Sequence, residues 1–375
     1  MKPTHRLPLL AAALATALAI LGGLMGPRQA IGAQPPPESI VRIGTLAIPG
    51  EPLASFDIGF VNVDGIYALA DRSNRGLDFF ASATGRFLGR ATGFTGPSAA
   101  GSETSGPNGV VAVGRHEFWA GDGDSTVKAV DLRTQKVIAN IATGGKKRAD
   151  ELAYDPRDHI LIAVNNADDP PFVTFISTRT HEVLGRLELP RASDGAEQPV
   201  WNAASGLVYL SIPALDGARA HGAVAVIDPR TRRLVRLMPV DECMPAGLAL
   251  GPHDDLLLGC SDDAIEAGFP AHSLIMNAAT GKVVATLSRV GGSDEVWSDP
   301  GAGRYYLAAV ANPGGPVLGV VDSRTHHWIG NLATGSHAHS VAADAASGKV
   351  FVPIAAGVGT SCPRGCLAVF GARTH

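Results

Sequence analysis

A short phrase ending in threonine recurs along this chain of 375 residues, and its spacing limits the folds that the chain can adopt. The phrase runs Asp-x-x-Thr-Gly or a variant of it, as in Asn277-Ala-Ala-Thr280-Gly281. Successive copies are separated by 50, 46, 51, 49, 45 and 49 residues, which matches the blades of a ring-shaped β-structure better than a helical solenoid. The seven threonines are Thr84, Thr134, Thr180, Thr231, Thr280, Thr325 and Thr374.

Each repeat also contains four short segments with the composition of β-strands. In the sixth repeat these segments cover residues 295–300, 304–310, 317–322 and 328–332, and turn residues separate them. The 45 glycines and 26 prolines of the chain suit many short strands joined by tight turns. Four such strands for every ~45 residues predict an all-β fold, a seven-bladed β-propeller of four-stranded blades.

The two ends of the repeat region predict how the ring closes. The last repeat stops at His375, directly after its Thr turn, so its fourth strand is missing. Residues 41–50 resemble the fourth strands elsewhere, such as residues 136–144. We therefore expect the N-terminal strand to complete the last blade and to leave no open sheet edge.

The repeats resemble the YVTN β-propeller repeats of exported bacterial proteins, which include surface-layer-type and quinoprotein-amine-dehydrogenase-like propellers. The resemblance covers about residues 40–375. It is specific for architecture and not for function, because propellers carry binding, scaffolding, lactonase and lyase functions alike. The chain lacks the tryptophan-docking motifs of quinone-dependent alcohol dehydrogenases, any CxxCH haem site and any phosphate-cradling motif. We therefore expect neither a haem nor a nucleotide cofactor.

The N-terminus has the composition of a targeting segment. Lys2, His5 and Arg6 precede an apolar stretch from Leu7 to Met25, and small residues follow up to Ala33. This pattern predicts a signal peptide over residues 1–33, a single propeller domain over residues 34–375, and a periplasmic or secreted protein. An uncleaved anchor remains the alternative, because the apolar run is long enough to span a bilayer. After removal of the signal we expect no membrane span.

Export favours disulfides, since the four cysteines would meet an oxidising compartment. Cys362 and Cys366 flank a Pro-Arg-Gly loop, and Cys243 and Cys260 flank two strands that we expect to be adjacent and antiparallel. We predict the pairs Cys243–Cys260 and Cys362–Cys366. Paired CxxC motifs with zinc spacing are absent from the sequence.

Aligning the start of each first strand collects polar residues at one mouth of the predicted channel. From the first blade to the seventh, this mouth column reads Asp57, Asn108, Asp150, Glu197, Ala246, Asp294 and His339. The next residues form a second column, which reads Ile58, Gly109, Glu151, Gln198, Gly247, Glu295 and Ser340. Neighbouring residues of a strand point to opposite faces, so one member of each pair can face the channel.

A ring of carboxylates is tolerable where a cation, bound water or a basic group neutralises it, or where some carboxyls stay protonated. Oxygen ligands with one or two imidazoles suit calcium, magnesium or manganese, and zinc less well. The alternative is structural: such residues also cap strand ends and bond neighbouring blades. The ligand or metal candidates are Asp57, Asn108, Asp150, Glu151, Glu197, Asp294, Glu295, His337 and His339.

Loops between second and third strands should open on the same face as this mouth. They include residues 165–169 and 261–263, while longer loops at residues 214–221 and 264–272 would build up one side. Together these loops could narrow the mouth into a pocket.

Three functions fit these observations, and whether the protein is an enzyme stays open. The leading hypothesis is an exported propeller that binds a small ligand, cation or partner at the acidic mouth. The competing hypothesis is a metal-assisted lactonase or lyase with a carboxylate or His339 as base, and the third is an interaction scaffold. The net charge of −4 and the lack of a basic cluster argue against nucleic acid as a partner. We expect a monomer.

Overall fold

A computed structural model describes residues 40–358 and 360–373. The predicted signal peptide, residues 1–33, lies outside the described residues. The described chain forms seven antiparallel sheets of four strands each, so the seven-bladed propeller predicted from the repeats is confirmed. The first two blades consist of β2 (Gly59–Val61), β3 (Ile66–Asp71), β4 (Gly76–Ala81), β5 (Arg86–Thr92), β6 (Val110–Val113), β7 (Glu117–Gly121), β8 (Thr126–Asp131) and β9 (Lys136–Ala142).

The remaining blades follow in chain order with the same meander. The third and fourth consist of β10 (Leu152–Asp155), β11 (Ile160–Asn165), β12 (Phe172–Ser177), β13 (Val183–Glu188), β14 (Pro199–Asn202), β15 (Leu207–Ile212), β16 (His221–Asp228) and β17 (Arg233–Asp241). The last three consist of β18 (Pro245–Leu250), β19 (Asp255–Cys260), β20 (Ser273–Asn277), β21 (Val283–Leu287), β22 (Val296–Asp299), β23 (Arg304–Ala309), β24 (Val317–Asp322), β25 (Trp328–Ala333), β26 (Ala342–Asp344), β27 (Lys349–Ile354) and β28 (Cys366–Ala372), together with β1 (Ile40–Leu46).

The first strand of each blade is the innermost one. These strands contact one another around the ring, while the fourth strands carry most of the exposed apolar residues. Buried clusters join neighbouring blades face to face. Phe175 and Ile162 of the third blade, for example, share a cluster with Leu210 of the fourth. Packing of each blade on its two neighbours therefore holds the inner strands at a common radius.

Strand β1 closes the ring, as predicted. It pairs antiparallel with β28, from Ile40 opposite Ala372 to Leu46 opposite Leu367, and the last blade has the order β1-β28-β27-β26. A β-bulge interrupts this ladder between Arg42 and Gly44. The third and fourth strands of the other six blades carry a register shift at the corresponding place, so β1 has the geometry of a normal fourth strand.

The recurring Thr phrase forms the turn between the third and fourth strands. In the second blade an oxygen of Asp131 accepts bonds from the backbone N–H of Thr134 (2.7 Å) and from its hydroxyl (2.6 Å). The next residue, Gln135, has a φ of 54°. This left-handed position explains why glycine appears there in other repeats, as at Gly281 with a φ of 72°. The repeat signal is therefore turn chemistry.

Both predicted disulfides are present. Cys243 pairs with Cys260 and Cys362 with Cys366. The sequence pattern predicted no helix after the signal, but a five-residue helix, α1 (Asp262–Glu266), follows β19, and Ser261 accepts a capping bond from the N–H of Ala264. Two short 3₁₀ helices cover Ser102–Thr104 and Pro252–Asp254. Within the described ranges, these helices are all too short to cross a bilayer.

Candidate functional site

The mouth column predicted from the alignment occupies equivalent places in the structure. In five blades the backbone N–H of the mouth residue donates to the carbonyl of a residue on the second strand. Asp57 bonds Ala70 in this way, and Asp294 bonds Ala308. The other three pairs are Asn108 with Gly121, Asp150 with Val164, and Glu197 with Ser211. The column therefore precedes the inner strands by about two residues and encircles one end of the ring.

One side of the mouth is neutralised by Arg72, which extends from the loop after β3. Its guanidinium forms an ion pair with Asp57 and donates to Asn108 Oδ1 from Nη2 (2.6 Å) and from Nε (3.1 Å). The Asp57 and Arg72 side chains are only 12% and 9% exposed. Burial opposes ionisation of Asp57, but Arg72, the bond from His339 and the charge of Arg148 together lower its pKa to about 2. Asp57 is therefore a fixed anion.

A second arginine, Arg148, forms an ion pair with Asp150 in the third blade. Arg148 donates to Asp150 Oδ2 from Nε (2.9 Å) and lies 2.7 Å from it through Nη2. Burial and the charge of Asp57 nevertheless raise the pKa of Asp150, against the opposing effect of Arg148. Neither arginine was assigned a role from the sequence. The spacing of Arg148, two residues before Asp150 on an extended segment, is the signal that could have indicated the pair.

His339 is the third basic residue of this side. Its ring stacks on Phe56, with centroids 4.8 Å apart and planes 3° apart. Its Nε2 lies 3.4 Å from Asp57 Oδ1, and its Nδ1 lies 2.8 Å from the carbonyl oxygen of His337. Burial lowers the pKa of His339, but Asp57 and Asp294 raise it more, so the net shift is upward. His337 itself is exposed and contributes only this backbone oxygen among the contacts of the described residues.

The opposite side of the mouth carries carboxyls without such partners. Among the described residues, no basic side chain lies within 4 Å of Glu197 or Asp294. Burial and the charges of Asp150 and Asp294 raise the pKa of Glu197 to about 8. Burial likewise raises the pKa of Asp294 to about 6, although His339 opposes the shift. This side therefore holds carboxyls that lose their protons near neutral pH.

The second column forms a hydrogen-bonded layer below the mouth. Glu295, which is 2% exposed, accepts bonds from Gln198 Nε2 and Ser340 Oγ, both at 3.2 Å. Glu151 has no ion pair within the described ranges. Burial and the charge of Glu295 raise the pKa of Glu151 well above its usual value. Burial and the charge of Asp294 raise the pKa of Glu295 well above its usual value.

Two glycines of the second column allow the blades to approach each other here. A Cβ added to Gly109 would lie 2.4 Å from the carbonyl oxygen of Asp150, and one added to Gly247 would lie 2.2 Å from that of Asp294. In both cases the glycine faces the Asp-Glu pair of the next blade. These positions therefore require glycine because the inner strands nearly touch.

A polar cavity of about 520 Å³ opens beside the mouth, and we call it the rim cavity. The loops that the sequence analysis expected on this face contribute to it, through residues 166–169, Arg219 and Asp263. Six carboxyl groups and two guanidiniums line it. Asp194 pairs with Arg219 at 3.1 Å and Glu103 with Lys147 at 2.5 Å, and Glu197 lies where the rim cavity meets the mouth. The cavity is therefore acidic.

A second cavity of about 240 Å³ lies inside the ring, and we call it the central cavity. Residues of the first strands of six blades line it, including Glu151, Gln198 and Glu295. Most of its other lining residues are apolar, among them Phe60 and Trp297.

Side chains of the kinds that bind metal ions come close together away from the mouth. Among the described residues, the group of three His, Cys, Asp or Glu donors within 4.8 Å of one another is Cys243, Cys260 and His272. The two sulfurs are joined in a disulfide and so are not thiolate ligands. No three of the described mouth carboxyls and imidazoles lie this close to one another, and the basic groups that pair with them are Arg72, Arg148 and His339.

The described residues form a seven-bladed β-propeller with polar side chains around one end of the ring. No protein-family model and no curated protein sequence matches this chain. Solved structures share the fold, and WD40-like propellers are among them. A chain of a mitotic checkpoint complex has 13% sequence identity and a TM-score of 0.66, covering 96% of this chain and 99% of that chain.

Two further structures give the same result. A chain of Kuenenia stuttgartiensis hydrazine synthase has 13% identity and a TM-score of 0.64, covering 83% of this chain and 95% of that chain. U3-55K has 9% identity and a TM-score of 0.67, covering 90% of this chain and 100% of that chain. At these identities the similarity shows the propeller fold alone.

Proposed function

We propose that this protein is an exported YVTN-type propeller that binds a small organic cation at its channel mouth. The observation that carries the proposal is that Glu197, which lines the acidic rim cavity, and Asp294 have no ion-pair partner among the described residues. The ligand would carry an ammonium group, because such a group can pair with both carboxyls and donate several hydrogen bonds.

The electrostatics of the mouth support a cationic ligand. Asp57 and Asp150 already have guanidinium partners, so a further cation would gain little there. Glu197 and Asp294 have raised pKa values because burial and nearby carboxylates disfavour their ionised forms. A bound ammonium group would lower both pKa values and release protons. The rim cavity, at about 520 Å³, has the volume of a small-molecule site.

Export is part of the same proposal. Two disulfides in one chain favour an oxidising compartment, and this agrees with the signal peptide predicted over residues 1–33. A periplasmic or secreted propeller would meet free amines of its surroundings directly at this exposed face.

A divalent cation at the same mouth is the competing proposal, and it is the one that a metal-assisted lactonase or lyase would need. Calcium, magnesium or manganese would take oxygen ligands from Glu197, Asp294 and their neighbours. The carboxyl groups would have to move closer together, since they lie too far apart to form a cluster within 4.8 Å. The experiment below therefore includes these metals.

The test is a calorimetric titration of the purified protein with putrescine. The matched probes are 1,4-butanediol, which lacks the charge, and succinate, which reverses it; calcium, magnesium and manganese chlorides are titrated separately. We expect putrescine to bind and a Glu197→Gln/Asp294→Asn variant to bind it at least tenfold more weakly. The control is Glu182→Gln, an exposed acid in the turn between β12 and β13, which should bind as the wild type does.

Binding of 1,4-butanediol as tightly as putrescine would contradict the proposal, as would equal putrescine affinity in the double variant. Tight binding of one of the metals, lost in the same variant, would replace it with the metal proposal.

A further inference from the structure

The central cavity lies directly below the carboxyls of the mouth. Asp150 is followed by Glu151, and Asp294 by Glu295, so one residue on each strand separates the mouth from the cavity wall. One residue of a strand advances about 3.3 Å along its axis. A ligand held at the mouth would therefore need only a few atoms to span the distance to the cavity.

The upper end of the central cavity is polar and acidic. Gln198 and Ser340 hold the carboxyl of Glu295 in place, and Gln198 is itself fixed by accepting the backbone N–H of Leu248 at 2.6 Å. Ser340 in turn accepts the N–H of Gly59 at 2.9 Å. Glu151 faces the same space without a basic partner among the described residues. This end suits a positive charge.

Most of the remaining wall of the cavity is apolar, although Ser298 also lines it. Phe60 and Trp297 meet edge to face, with ring centroids 5.2 Å apart and planes at 70°. Trp297 and Ser298 also line another cavity, together with turn residues such as Asp299, so Trp297 lies where the two spaces adjoin. The apolar residues of the wall are Ile58, Phe60, Val110, Leu152, Pro199, Val200, Leu248, Ala249, Leu250, Val296 and Trp297.

We propose that the central cavity binds the aliphatic chain of an alkylammonium ligand, whose ammonium group lies between the mouth carboxyls and Glu151. The inference rests on the proposed function and names the class of its ligand: a primary amine with an unbranched chain of several methylene groups. The carboxyls select the charge at one end. The apolar walls select the chain, since a hydrophilic ligand of the same charge would leave them in contact with water.

Chain length is the property that the experiment varies. The affinities of methyl-, butyl-, hexyl- and octylammonium are measured by calorimetry at pH 7, below any micelle concentration. Burial of one methylene contributes about 0.8 kcal/mol, so we expect about threefold to fourfold tighter binding for each added methylene. The increase should stop when the chain reaches the ring of Trp297.

Two variants locate the chain. Val200→Phe fills part of the central cavity and should bind hexylammonium at least tenfold more weakly, while methylammonium binding changes little. Val235→Phe makes the same substitution at a 55% exposed position of β17 and should leave both affinities unchanged. An aliphatic diazirine analogue of hexylammonium gives a second readout that needs no variant, and its label should appear on residues 58–60, 198–200 and 295–298.

The outcomes separate this inference from the proposed function. If methylammonium and hexylammonium bind equally well, the ligand has no chain in the cavity, and only the proposed function survives. If none of the amines binds, both fail. A label outside the inner strands, or an unchanged chain-length dependence in Val200→Phe, would overturn the inference even where the amines bind.

Discussion

The two sides of the channel mouth carry the same kind of residue at equivalent places but differ in their neighbours. Asp57 and Asp150 each contact an arginine, whereas Glu197 and Asp294 have no basic side chain within 4 Å among the described residues. The pKa of Asp57 accordingly falls to about 2, and that of Glu197 rises to about 8. The pKa of Asp150 is also raised, because burial and the charge of Asp57 outweigh Arg148. Position in the repeat therefore sets where a carboxyl lies, while burial and the neighbouring charges together set its pKa.

The difference has a structural cause. Arg72 comes from the loop after β3, and Arg148 from the segment that precedes β10. The corresponding segment before β14 has Gly195 where the third blade has Arg148, and the one before β22 has Gly292. The arginine side is thus built as an internal salt-bridge network, while Glu197 and Asp294 form no ion pair among the described residues.

The largest effect that would test this comparison is expected from Arg72→Met. The variant keeps the apolar volume but leaves Asp57 buried without its cation and Asn108 without its donor. Removing one partner of a buried pair costs about 3–5 kcal/mol, and we expect a fall of this size in the free energy of unfolding, measured by urea denaturation. Arg86→Met, at an exposed position of β5, should change it by less than about 0.5 kcal/mol. A loss below about 1 kcal/mol in Arg72→Met would mean that Asp57 does not depend on Arg72.

A smaller effect is expected from Arg148→Met, because the Arg148 side chain is 18% exposed and water can replace part of its contact with Asp150. The free energy of unfolding should fall by about 1–2 kcal/mol, between the values for exposed and buried pairs. The same denaturation measurement checks it. A loss as large as that of Arg72→Met would show that both arginines are equally essential to this side.

The smallest effect at pH 5 is expected from Glu197→Gln on the acid side. Its pKa rises from 4.5 to about 8 on folding, so its contribution to stability is complete below about pH 4.5 and is lost as the pH rises through 8. Glutamine mimics the protonated form, so the variant should match the wild type within about 1 kcal/mol at pH 5 and lose less stability between pH 6 and 8. Unfolding curves at these pH values test it, with Glu182→Gln as control. An unchanged slope in Glu197→Gln would show that Glu197 ionises normally.

The parts of the structure that could be predicted from the sequence are those set by turns, strand order and backbone hydrogen bonds. The Thr phrase predicts the turn because a side chain such as Asp131 or Asn277 bonds the threonine three residues later, and this chemistry recurs in the second to sixth blades. The closing strand and the Cys243–Cys260 disulfide follow from the order of the strands, and the Cys362–Cys366 disulfide closes one short loop. Five of the seven residues of the mouth column occupy equivalent places for the same reason, since they share one backbone hydrogen bond.

The charges of the mouth could not be predicted in this way. Arg72 reaches Asn108 in the next blade, and His339 reaches Asp57 across the closure of the ring. Such contacts depend on the length and direction of side chains from different repeats. The sequence analysis allowed for a basic group as one means of neutralising the carboxyls, but an alignment of repeats does not reveal which residue provides it. The helix α1 was missed because five residues are too few to show a helical period.

The pairing of β1 with β28 also determines the order of events during folding. Arg42 of β1 donates to Ser361 at 3.3 Å, and the two residues are 319 positions apart in the chain. A contact of such high sequence separation forms only after a very long loop has been closed. Six blades can assemble from local hairpins, while β1 has to wait for β28, which lies at the other end of the ring in sequence. Until then the nascent ring has two unpaired edges, and this is the interval in which the protein is most exposed to aggregation.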